Sequence, residues 1–152
     1  MALIRAYREA FIELATNHQW VDAFAVTLTM KPQSWRQHTQ NFRHFMNRLN
    51  TRILGNAFGR YGRQLSVLAV IEGDHRDHPH YHCVIDNPRR DQRTIFVESI
   101  EQCWNDTELG LPENSITPDA DIVWFRYMAK IRDKDEYYDA FDWENAWLER
   151  QR

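Results

Sequence analysis

Residues 65–86 read LSVLAVIEGDHRDHPHYHCVID. Leu65 to Glu72 is a continuous apolar run rich in β-branched residues, the pattern of a buried strand. Gly73 to Pro79 is polar and breaks it. His80 to Asp86 resumes as a second strand. Two strands joined by seven loop residues most simply form an antiparallel hairpin. Side chains alternate along a strand, so His80 and His82 share a face, about 7 Å apart along the backbone. The hairpin would bring Glu72, at the end of the first strand, close to His80.

Outward from the hairpin, Phe24, Val26, Leu28 and Met30 alternate with Ala25, Thr27 and Thr29, which predicts a strand over 23–30 with one apolar face. Before it, Leu3, Tyr7, Phe11, Leu14 and Ala15 fall at helical spacing within residues 2–16. After it, Pro32 stops the strand and Ser34 is a candidate N-cap. Trp35, Phe42, Met46, Leu49 and Ile53 then form one stripe of a long helix ending near Gly55. Beyond the hairpin, Phe96, Val97, Ile100 and Trp104 predict a helix over 94–104. Residues 109–118 read as loop, Asp121 to Trp124 as a short strand, and Arg126 to Arg132 as a helix. Residues 133–152 form an acidic, aromatic tail with a weak helical stripe through Tyr138, Phe141 and Trp147. The order α-β-α-β-β-α-β-α predicts an α+β fold: a central antiparallel sheet with helices packed mainly on one face, the other face free for a site.

At 152 residues and 43% apolar composition, the chain suits one domain, 1–152, with one core, and wholesale disorder is excluded. The sequence shows no membrane-length apolar run, no export signal and only two cysteines, Cys83 and Cys103. A cytoplasmic protein with no membrane partner is expected. The net charge of −3 is unevenly spread: residues 31–64 hold seven Lys or Arg and no acid, whereas residues 98–152 hold fourteen acids against six bases. The basic block is either a solvated helix face or an electrostatic footprint for phosphates.

Two imidazoles and a carboxylate at His80, His82 and Glu72 make a three-point metal site with open positions. That donor mix suits a catalytic ion rather than a closed structural one. Such an ion can polarise a phosphoryl oxygen. A second constellation is Tyr127-Met-Ala-Lys130. On a helix, residues three apart share a face, so a phenol and an ammonium would be presented together. A phenol titrates near 10, and a neighbouring cation favours the nucleophilic phenolate.

The strand at Phe24–Met30, the trio His80-Tyr81-His82 with Glu72, and Tyr127-Met-Ala-Lys130 resemble, in that order, the motifs of the HUH endonucleases. The resemblance is to the rolling-circle replication initiator (Rep) branch with a single catalytic tyrosine, and covers residues 23 to about 132. It implies a ferredoxin-like or RRM-like sheet and site-specific nicking and rejoining of single-stranded DNA. Mg²⁺ or Mn²⁺ would be held by Glu72, His80 and His82. Tyr127 would attack to leave a covalent 5′-phosphotyrosine, with Lys130 positioning the phosphate or balancing charge. Lys31, Arg36, Arg43, Arg48, Arg52, Thr27 and Thr29 would contact DNA. The implied substrate is an origin with a hairpin, on a mobile element in a bacterial host whose helicase and polymerase would be further partners. Tyr137 and Tyr138 lie too far beyond Tyr127 to act as a second nucleophile. Two rivals use the same residues. His78, His80 and His82 also fit a histidine-triad nucleotide hydrolase, although Pro79 fits a strand poorly. The basic helix and the aromatics also suit a non-catalytic single-strand binder.

Overall fold

The computed structural model describes residues 1–73, 78–130 and 137–150. Its elements run α1 (Ala2–Asn17), β1 (Ala23–Thr29), α2 (Trp35–Leu54), the single turn α3 (Asn56–Gly59), β2 (Val67–Glu72), β3 (His80–Asp86), α4 (Arg93–Asn105), β4 (Ser115–Thr117) and α5 (Ile122–Met128). The four strands form one antiparallel sheet in the order β2-β3-β1-β4. The segment β1-α2-β2-β3-α4-β4 is therefore a βαββαβ unit with its first and third strands in the middle, the ferredoxin-like arrangement. α1 precedes this unit and α5 follows it.

The alternation in β1 to β3 builds two cores back to back. Phe24, Val26 and Leu28, with Val67, Ala69, Ile71, Tyr81, Cys83 and Ile85, face α2 and α4. There they meet Phe42, Phe45, Leu49, Phe96, Ile100 and Trp104, which recur at helical spacing. α2 starts at Ser34 as the sequence predicts. The Ser34 hydroxyl accepts from the Gln37 N–H and the Gln37 side chain reaches back to the Ser34 N–H, a complete capping box.

The second face is not bare. Leu68, Val70 and Val84 are covered by Phe11, Ile12 and Ala15 of α1 and by Phe125 and Met128 of α5. α1 buries a stripe rotated from the predicted one: Phe11, Ile12 and Ala15 are buried, while Leu3 and Leu14 lie in solvent. Only the end of this face carrying Glu72, His80, His82 and Thr27 is left without a helix pressed flat on it.

Three local expectations change. Residues 115–117, read as loop, form β4, because pairing with Ala25–Thr27 gives this short segment its hydrogen bonds. Residues 121–124, read as a strand, begin α5: the Asp121 carboxylate accepts from the Val123 N–H and caps the helix. That helix ends at Met128, so Lys130 lies past its C-cap, Ala129; residues 131–132 of the predicted helix lie outside the described residues. The tail makes two 3-10 turns and no described α-helix. It runs beside β2, with backbone bonds from Asp142 N–H to the Ala69 carbonyl and in both directions between Val67 and Trp147. A sheet edge that would otherwise offer unpaired groups is thereby covered. Beneath it, the buried Tyr81 hydroxyl donates to Asp142 Oδ2 at 2.8 Å. Burial raises the Asp142 carboxyl, partly offset by hydrogen bonds from Asn145 and Tyr81.

Candidate metal centre and tyrosine

The hairpin register decides the centre. Glu72 pairs directly with His80, and His82 with Val70 on one side and Thr27 on the other. Glu72, His80, His82 and Thr27 consequently point to the same face at one end of the sheet. Glu72 Oε2 lies 2.7 Å from His82 Nε2 and 3.3 Å from His80 Nε2, and the two Nε2 atoms are 3.0 Å apart. The carboxylate, although opposite His80, reaches diagonally to His82. The expected set Glu72, His80 and His82 is thus brought together.

Each imidazole is held from behind. His80 Nδ1 donates to the His78 carbonyl at 3.0 Å, which leaves Nε2 with its lone pair toward the centre in the neutral ring. His82 Nδ1 lies 3.1 Å from Thr27 Oγ1, the outer partner that fixes a metal-binding tautomer when Nδ1 carries the proton. Gly73 makes room for the first of these contacts. Its φ is +74°, and a Cβ there would come within 3.0 Å of the His78 carbonyl oxygen.

Three basic atoms facing one another this closely need a cation between them. Cis ligands of an octahedral ion with bonds of about 2.1 Å are about 3.0 Å apart, against about 3.4 Å in a tetrahedron. The observed separations bracket the octahedral figure, so the donors fit a Mg²⁺- or Mn²⁺-sized ion with open coordination positions. His82 is buried, while about a quarter of each of the His80 and Glu72 side chains is exposed, so a ligand reaches the centre from one side. Cys83 is no donor: it points to the opposite face, fully buried, and burial pushes its thiol far up.

Tyr127 joins the centre from α5. Its ring meets the His82 ring edge-on at 5.0 Å between centroids and remains 45% exposed. Trp124, one helical turn earlier, stacks on Tyr127 at 5.4 Å and 22°. The Trp124 indole N–H donates to the Cys83 carbonyl at 3.0 Å and its ring abuts His82. The sequence reading missed Trp124 because it placed residues 121–124 in a strand; Asp121 as an N-cap was the available signal. Lys130 is exposed, its N–H bonded to the Tyr127 carbonyl in a final turn.

The remaining candidates separate. The Thr27 hydroxyl sits on His82, and the Thr29 hydroxyl donates to the Glu113 carbonyl. Lys31 Nζ approaches the Glu108 carbonyl at 3.4 Å. Arg36, Arg43, Arg48 and Arg52 lie on α2, across the sheet from the metal centre. Three of them have neighbours there: Arg43 donates to Asn145, Arg48 pairs with Asp106 and Arg52 donates to Gln102. Tyr137 is buried with its hydroxyl on the Ala129 carbonyl, and Tyr138 packs against Tyr7. His78 precedes β3 and turns its carbonyl toward His80, so it does not continue an alternating histidine strand.

No described helix is long and apolar enough to cross a membrane. No curated protein and no solved structure matches the chain. The family model for the ORF2-type replication-associated protein matches residues 23–136, from the first strand of the sheet through the tyrosine helix. With three-quarters of its length inside that match, the chain belongs to this replication-associated protein family.

Proposed function

We propose that this protein initiates rolling-circle replication of a mobile element by nicking and rejoining single-stranded DNA through Tyr127. The carrying observation is the packing of the exposed Tyr127 ring on His82, itself one of three convergent metal donors. Glu72, His80 and His82 would hold the ion, and two imidazoles in the set favour Mn²⁺ over Mg²⁺. When bound, the ion supplies Lewis-acid polarisation of the scissile phosphate. The Tyr127 oxygen attacks phosphorus and the P–O3′ bond breaks. The phenol proton passes to water and the departing 3′ oxygen takes one up, leaving a 5′-phosphotyrosine and a free 3′-OH. The new ester conserves the phosphodiester, so the 3′-OH can attack it in reverse and reseal the strand. Lys130 follows Tyr127 closely enough in the chain to balance phosphate charge. The exposed side of the centre admits an extended strand, such as one displaced at an origin hairpin.

The deciding experiment incubates the protein with Mn²⁺ and a library of hairpin-bearing single-stranded oligonucleotides, then looks for adducts that survive SDS. Wild type should give an adduct and a free 3′-OH, both abolished by EDTA. Tyr127→Phe should lose the adduct while keeping Mn²⁺ and oligonucleotide binding. An adduct that persists in Tyr127→Phe, or none from wild type across the library, removes Tyr127 as the nucleophile.

A further inference from the structure

α2 is 20 residues long and buries one side in the core. Four of its nine exposed residues are arginines: Arg36, Arg43, Arg48 and Arg52. The other five are Gln37, Gln40, His44, Asn47 and Thr51, so the outward face has no acid, no aliphatic residue and no aromatic ring. Within a chain of net charge −3, residues 31–64 carry seven positive charges and the rest carries a balance of −10. This concentration lies on the sheet face opposite Glu72, His80, His82 and Tyr127.

The arrangement around the helix is ordered. At about 100° per residue, Arg36 and Arg43 fall along one flank and Arg48 and Arg52 along the other. Gln40, His44, Asn47 and Thr51 occupy the crest between them. The hydrogen bonds agree: Arg43 reaches Asn145 in the tail, whereas Arg48 and Arg52 reach Asp106 and Gln102 on the α4 side. Asp106 is the acid ion-paired to this face among the described residues, and its pair with Arg48 is about half exposed on both sides. Exposed pairs of this kind exchange readily for another anion.

We infer that the outward face of α2 is a second DNA surface, one that docks on duplex DNA while the metal centre handles a single strand. Four observations select the partner. Two cationic rows on either side of a helix about 10–12 Å wide match two phosphate strands bordering a major groove of about 12 Å. The rows extend about 24 Å from Arg36 to Arg52, near seven base-pair steps. The crest carries amide, imidazole and hydroxyl groups, which pair with base edges in a groove. A single strand is disfavoured because its bases need aromatic rings to stack on, and the face has none. Because the sheet separates the two surfaces, one molecule can hold the duplex next to an origin and the strand to be cut at once. That DNA is the polymer handled rests on the proposed function; the location of the second surface does not.

The test uses the full chain as Tyr127→Phe, a fluorescent 20-base-pair duplex of random sequence, unlabelled dT20 and Mn²⁺. Anisotropy should report duplex binding that saturating dT20 does not displace. Arg36→Ser, Arg43→Ser, Arg48→Ser and Arg52→Ser combined should weaken duplex binding at 100 mM salt at least about 100-fold. The same variant should reduce the log–log salt slope by about 3–4, the value for four lost phosphate contacts. Its dT20 and Mn²⁺ affinities should match the parent, which also reports an intact fold. Should it bind Mn²⁺ poorly, the double variant Arg36→Ser/Arg43→Ser, on the flank away from α4, should still halve the slope change. Displacement of the duplex by dT20, or undiminished duplex binding by the arginine variants, overturns the second surface. Displacement by polyglutamate at equal charge concentration assigns the face to acidic proteins and overturns the duplex. A failure to nick in the separate adduct experiment leaves all these readings interpretable.

Discussion

Thr27 carries more of the metal centre than its small side chain suggests. Its hydroxyl is the partner of His82 Nδ1, and outer partners of this kind typically contribute about 10–100-fold in metal affinity. Thr27→Val keeps the strand shape and removes the oxygen; Mn²⁺ titration calorimetry should show a loss of roughly 10-fold. Gly73→Ala acts on the other histidine. It strains a positive φ and presses on the His78 carbonyl that orients His80, so Mn²⁺ affinity should fall there too, with little change in the core. Trp124 acts through Tyr127. Trp124→Ala lets the phenol swing off His82 and should lower kcat for nicking by about 10–100-fold, as misplacement by an ångström does. Trp124→Phe, which keeps a stacking face, should recover most of that rate, and oligonucleotide KM should move less than kcat. Equal losses in Phe and Ala would assign the indole N–H bond to Cys83, rather than the stack, as the important contact.

Elements impose the geometry those residues exploit. The capping box at Ser34 starts α2, and Ser34→Ala should cost about 1 kcal/mol in a urea titration. At the far end of β1, Asp22 is buried and accepts from Arg93 and Asn87. Burial works to raise its carboxyl, but the Arg93 and Asn87 hydrogen bonds and the Arg93 charge outweigh it and hold it below the usual range. A carboxyl depressed in the folded state stabilises above its unfolded value, near 4, and that stability is lost as pH falls through the folded value. Asp22→Asn should therefore lower the urea midpoint at pH 7 and lose less on acidification below about pH 4 than wild type does. Identical pH profiles for the two proteins would remove this ion pair from the acid response. α5 shows how an element can be misread in part. Ile122, Val123 and Trp124 have strand-like composition, yet Asp121 caps a helix that buries Phe125 and Met128. Packing on α1 overrides a short local preference.

Over the whole molecule, one sheet separates two environments. Its first face, under α2 and α4, holds most of the large apolar side chains and the basic outer surface. Its second face, shared with α1 and α5, holds the metal centre at an uncovered end. The tail closes the β2 edge and meets Tyr81, whose strand neighbours are His80 and His82. Tail acidity is thereby placed beside the sheet edge instead of along an isolated helix. Removing residues 137–152 would expose that edge and leave Tyr81 without Asp142. The truncated chain should show a lower melting temperature and concentration-dependent aggregation in light scattering, because an open strand edge pairs with other chains.

Much of this was legible in the residues themselves. Period-2 alternation in residues 23–30 and 80–86 and the helical stripe from Trp35 to Ile53 specify element type, because each period allows only one way to bury its apolar side. The same alternation puts His80 and His82 on one face without knowledge of anything else. Whether Glu72 would join them depended on the hairpin register, since a slip of one residue turns a side chain to the other face; the register found puts Glu72 opposite His80. Only the tertiary structure could bring Tyr127 to His82, separated from it by 45 positions in the chain. Only it could make Thr27 the partner of an imidazole and carry the arginines of α2 to the far side of the sheet. Local periodicity reports which way a side chain leaves its own element. What that side chain meets depends on how separate elements pack, and that is settled by burial across the whole sheet.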